Sequence, residues 1–154
     1  MAETRPPRGF DDERELLLGM FGYHRSSLIA KTRGVTEERA KWSPVDSGTS
    51  LLWLLDHLTF VDHVWFEVRF TGASELAEPQ VSESVEIAIA RADASWAQVQ
   101  RIVRSASLDD VCVGDTGGEP VDLRWVLTHL VGETARHAGH ADIIREMIDG
   151  SIGR

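Results

Sequence analysis

Residues 122–145, DLRWVLTHLVGETARHAGHADIIR, read as one long amphipathic helix. Asp122 is a good N-cap, and the pattern runs through Arg145 to a stop at Gly150. At about 100° of turn per residue, Glu133 falls at the centre of the apolar arc, flanked by Val126, Leu130, Ile144 and Met147. His129, His137 and His140 share that arc, while Asp142, Arg145 and Glu146 take the opposite, solvent side. An unpaired glutamate inside a core costs several kcal/mol, so Glu133 needs a proton, an ion-pair partner or a bound cation.

Three further stretches carry the same period, with apolar residues three and four apart. The first runs from about Asp12 to Thr32, with Leu17, Met20, Phe21, His24 and Leu28 on one side and Asp12 and Glu15 placed as a capping box. Arg33 to Gly48, with Pro44 and Ser47-Gly48, reads as a loop. A second helix is expected from about Thr49 to Phe70, ending at Gly72. After a polar linker ending in Pro79, the residues Val85, Ile89, Ala92, Trp96, Val99 and Val103 mark a third. Ser105 to Val121 breaks the pattern, and Val111, Val113 and Gly114 to Gly118 suggest a small hairpin. Four amphipathic helices without a strong strand signal predict an all-α four-helix bundle over residues 11–150, preceded by a flexible lead over 1–10.

Composition agrees with a single globular domain: 154 residues, 42% of them hydrophobic. The formal net charge is −9 and the basic residues are scattered, which argues against a nucleic-acid surface needing a basic stripe. No apolar run is long enough to span a membrane, and Arg5-Pro6-Pro7-Arg8 has no apolar stretch behind it, unlike a secretory signal. A single cysteine, Cys112, excludes an internal disulfide framework and fits a cytoplasmic location. Without a neighbouring histidine or helix start to activate it, Cys112 reads as a packed small residue.

On the second helix His57 lies mid-arc among Trp53, Leu54, Phe60, Val61, Val64 and Val68, whereas His63 falls outward among Asp56, Thr59 and Glu67. Glu133 and His137 are four apart, about 6 Å along the axis, so both can converge on one ion. His140, three further on, is placed as a fourth ligand or as a group that orients one. His24 is a candidate substrate-pocket residue, and Trp53, Trp65, Trp96 and Trp125 read mainly as core, with one of them free to line a pocket. A single inward histidine is more often a hydrogen-bonded core residue, and Glu-x-x-x-His is commonly a surface pair. Five such groups on two apolar faces of a short chain favour a metal site: His57, Glu133 and His137, with His140 beside them.

The sequence Ser50-Leu51-Leu52-Trp53-Leu54-Leu55-Asp56-His57-Leu58, with Asp62 and Trp65-Phe66, resembles the second-helix signature of the DinB/YfiT-like superfamily. Leu123 to Leu130, then Glu133-Thr134-Ala135-Arg136-His137-Ala138-Gly139-His140-Ala141-Asp142 and Arg145-Glu146, resembles its fourth helix. The closer likeness is to an actinobacterial subgroup that includes mycothiol S-transferases, and it covers nearly the whole chain after residue 10. The resemblance implies an up-down-down-up bundle, often a homodimer, with a metal triad from the second and fourth helices. The usual triad is three histidines. Here Glu133 replaces one of them, an arrangement similar to that of mycothiol-dependent maleylpyruvate isomerases. The donor set suits zinc, with nickel and manganese as alternatives.

The implied activity is transfer of a mycothiol-type thiol onto small electrophiles, with His57, Glu133 and His137 as ligands. His140 would act in catalysis, orienting a ligand or accepting the thiol proton. Two other functions share these residues: a hydrolase using metal-bound water, and a non-catalytic metal- or ligand-binding stress protein with a closed site.

Overall fold

The computed structural model describes residues 5–152. Met1 to Thr4, part of the expected lead, lie outside the described residues, as do Gly153 and Arg154. The long elements are α1 (Glu13–Thr32), α3 (Leu51–Asp62) continued by a π-helical segment (His63–Phe70), α4 (Val85–Ser105) and α5 (Leu123–Asp149). A short helix, α2 (Glu37–Lys41), precedes α3. The architecture is an all-helical bundle.

Side-chain caps set the starts. Asp12, Thr36, Ser50, Ser84 and Asp122 each accept a backbone N–H in the first turn of their helix. The box at α1 is half formed: Asp12 accepts from Arg14 and Glu15, while the Glu15 carboxylate pairs with Arg104 instead of reaching back. Gly150 closes α5 in the left-handed conformation, φ 75°, which a residue with a Cβ rarely adopts.

Cross-helix contacts fix the helix directions. Arg124 at the start of α5 pairs with Glu13 at the start of α1, and Arg145 near its end donates to the Lys31 and Arg33 carbonyls, so α1 and α5 run parallel. Glu15 of α1 meets Arg104 at the far end of α4, so those two are antiparallel. Asp56 meets Arg91, and Asp62 meets Ser95 further along both helices, so α3 and α4 run together. The order is up, down, down, up.

The buried apolar residues form two clusters. One gathers Leu18, Phe21, Phe66, Phe70, Val99, Val103, Leu123 and Leu127; the other Leu28, Leu51, Leu55, Val85, Ala88, Ala138, Ala141 and Ile144. At the level between them Arg25 and Asp62, both almost fully buried, form an ion pair of 2.5 Å. Arg25 also donates to the Ala92 carbonyl and lies against the Phe21 and Trp96 rings, while Asp62 accepts from Ser95. Complete burial pushes the Asp62 carboxyl above its ordinary range, against the pull of Arg25 and Ser95.

Four expectations need correction. The Arg33–Gly48 stretch contains α2, whose five residues are too few to show a helical period. The second long helix is not uniform: from His63 to Phe70 it is π-helical, closed by the Thr71 N–H donating to Phe66 O at 3.1 Å. The expected hairpin reduces, among the described residues, to an isolated antiparallel bridge between Val111 and Asp122. Gly114 instead passes so close to the π-segment that a Cβ there would lie 2.6 Å from the Val68 carbonyl oxygen, which leaves no room for another residue type.

The fourth correction is one of helical phase. The buried stripe of α5 is Leu123, Val126, Leu127, Leu130, Thr134, Ala138, Ala141 and Ile144, roughly a quarter turn from the arc centred on Glu133. Small side chains at Thr134, Ala138 and Ala141 let α5 lie close to its neighbours, while the larger Ile143 and Met147 are left exposed. Arg145 is not a solvent residue either; it ties the ends of α1 and α5 together.

Candidate metal centre

The quarter-turn shift puts Glu133 and His137 beside the buried stripe of α5, at its border with α3, where His57 faces them. All three are half-buried. His137 Nε2 lies 3.0 Å from Glu133 Oε1, His57 Nε2 lies 3.5 Å from the same oxygen, and one ligating atom from each residue falls within 4.8 Å of the others. Donors about 2.1 Å from a tetrahedral ion sit roughly 3.4 Å apart, so this spacing fits a divalent cation with little rearrangement. Two imidazoles and one carboxylate would leave a tetrahedral ion one further position for a ligand from solution.

The electrostatics favour the ligating forms. Burial alone would raise the Glu133 carboxyl, but His137 and then His57 outweigh it and hold it below the usual glutamate range. Burial lowers His137 below an ordinary imidazole, and Glu133 only partly opposes this. Glu133 thus remains an anion and His137 neutral at neutral pH.

The surroundings set ring orientations. Trp53 stacks on His57 at 4.7 Å between centroids and 9° between planes. His140 Nδ1 is 3.4 Å from His137 Nδ1, so His140 addresses the nitrogen of His137 that does not face Glu133. With His137 Nε2 free of its proton for a metal, the proton resides on Nδ1 and can be donated to His140. Arg136 is exposed and 3.9 Å from the other Glu133 oxygen, too distant to neutralise it alone.

The remaining candidates lie apart. His63 contacts the Glu75 carbonyl and Glu67 and does not join the cluster. His24, on α1, packs edge-to-face with Tyr23 and does not line the cleft that adjoins His57. His129 is exposed and stacks on Trp125 at 5.0 Å. Of the four tryptophans expected mainly in the core, Trp53 and Trp125 are each 45% exposed: Trp53 stacks on His57 and lines the cleft beside it, while Trp125 stacks on His129 and lies against the core residue Trp65. Cys112 packs against the first apolar cluster, and burial raises its thiol pKa. Sequence reasoning missed the Trp53 stack and the Arg25–Asp62 pair; Arg25, four residues after Phe21 and three before Leu28, was the available sign of the latter.

A family model described as mycothiol S-transferase matches residues 16–150, which include all the long helices almost in full and the His57–Glu133–His137 cluster. No curated protein gives a match to the sequence.

Proposed function

We propose that this chain, which belongs to the mycothiol S-transferase family, joins a mycothiol-type thiol to small electrophiles at a divalent metal ion held by His57, Glu133 and His137. The observation that carries this reading is the convergence of two imidazoles and an ionised carboxylate within 4.8 Å, at the edge of the bundle rather than sealed in its core. The donor set favours zinc. A bound ion with an open position lowers the pKa of a docking thiol and so supplies the nucleophile at neutral pH.

The chain's own residues do the rest. Glu133 contributes the negative charge that balances the cation. Trp53 holds the His57 ring in plane by stacking. His140 positions His137 through the nitrogen-to-nitrogen contact and fixes which ring nitrogen is free to ligate. Cys112 takes no part, since its burial disfavours the thiolate.

The test is a metal-loaded transferase assay with mycothiol and a maleimide on three variants. Glu133→Ala and His137→Ala are expected to lose metal and activity together, because ligands of one ion act as a unit. Cys112→Ser should retain both. Activity that survives chelation, or that disappears with Cys112, would overturn the reading.

A further inference from the structure

Beside the cluster, on the α3 side, lies a cleft of about 380 Å³. His57 and Trp53 form one wall, Leu52 and Phe60 extend it along α3, and Pro79 and Val81 of the α3–α4 linker line the other side, Val81 at its exposed rim. The charged groups at its border are already engaged. Asp56 accepts from the Ser82 N–H and O–H at 2.8 and 2.5 Å and from Arg91 at 3.3 Å, and the Lys41 ammonium donates to the Glu83 carbonyl at 3.1 Å. The Asp56 contacts do more than neutralise a buried carboxylate: through Ser82 they tie the linker to α3. What remains for a ligand is a mostly apolar slot whose inner wall is a metal-ligand candidate.

We infer that this cleft seats the apolar part of the electrophile, a compact aromatic or branched alkyl group, and so sets which electrophiles the protein prefers. The inference rests on the transferase reading above. A polyhydroxylated thiol gains little from apolar walls, whereas an aromatic ring can lie against Trp53, a half-exposed residue of the cleft wall. The volume lies in the range of small-ligand sites. In the reaction served, the thiol gives up its proton and its sulfur bonds to one carbon of an activated C=C. The π pair moves to the other carbon, which takes a proton, so thiol and alkene sum to the adduct with no further reactant.

Two measurements separate this from the transferase reading. The first uses metal-free protein and inert N-methyl-, N-butyl- and N-phenylsuccinimide, with binding followed by calorimetry. Each buried methylene is worth roughly fourfold in affinity, so N-butyl and N-phenyl should bind about tenfold or more tightly than N-methyl. Val81→Asp, at a position 87% exposed and so harmless to folding, should abolish that gain, and Phe60→Ala should reduce it. The second uses metal-loaded protein, mycothiol and the matching maleimides. KM should fall with the size of the apolar group, and Val81→Asp should raise KM for N-phenylmaleimide without changing metal content. Flat affinities across the series, or indifference to Val81→Asp, would overturn the assignment of the cleft. Graded binding without turnover would keep the cleft and remove the transferase reading. Turnover without graded KM would do the reverse.

Discussion

At the scale of single residues, His57 and His63 share one helix, yet only His57 turns toward Glu133. His57→Ala is therefore expected to weaken metal binding by at least the roughly 10- to 100-fold that even outer partners cost, while His63→Ala leaves occupancy nearly unchanged. Elemental analysis of the two variants after dialysis against a metal buffer checks this, and equal losses would contradict it. Acid supplies a second expectation. His137 must be neutral to bind a cation, and its burial holds its pKa below an ordinary imidazole. Its share of the affinity should persist as pH falls past the ordinary histidine value of about 6.5 and disappear only below it. A metal-binding titration that fails well above pH 7 would contradict the lowered value. On α3 the arc assigned to His57 is not the buried one: Leu51, Leu55, Asp56, Leu58 and Asp62 are buried, while Trp53 is 45% exposed. Glu133 and His137 were legible because polar groups on an apolar arc are costly. Their exact phase was not, because Thr134, Ala138 and Ala141 bury well while adding little apolar weight to the pattern.

At the scale of elements, helix starts were readable where a short polar side chain caps them, as at Asp12 and Asp122. The π-segment was not, since its wider hydrogen-bond spacing depends on the surroundings of His63 to Phe70 and leaves no mark in composition. A π-segment holds more residues per turn than an α-helix, so Val64 and Val68 are not placed where an α-helical projection puts them. Removal of one residue, Val64, would let the segment revert toward α-helix. It should carry Trp65 away from Trp125 and His129, near which it now lies at 5.5 and 5.1 Å, while leaving His57 upstream in place. The expected result is altered tryptophan emission and lower thermal stability with metal binding retained. Loss of metal together with the spectral change would show that the two regions are coupled.

At the scale of the whole molecule, the Arg25–Asp62 pair divides one helical bundle into two apolar compartments. Taking one partner from a buried pair commonly costs about 3–5 kcal/mol, because the other charge is stranded, whereas replacing both with apolar groups costs far less. Arg25→Met and Asp62→Leu should each lower stability in urea by about that amount, and the double variant should recover most of it. Additive losses would mean that the pair is not the source of the effect. The overall bundle and its up-down-down-up order followed from periodicity and resemblance together. The internal division did not, because it depends on which charged residue of one helix meets which of another.

The same division bears on motion. His57 lies just ahead of Asp62 on α3, and Glu133 and His137 flank Thr134 at the seam between the compartments on α5. A cation bound there would act as a rivet across the seam, on the edge of the bundle away from the ion pair. Amide hydrogen exchange would report this directly: the compartments should open with separate protection levels when metal-free, and as a single cooperative unit once loaded.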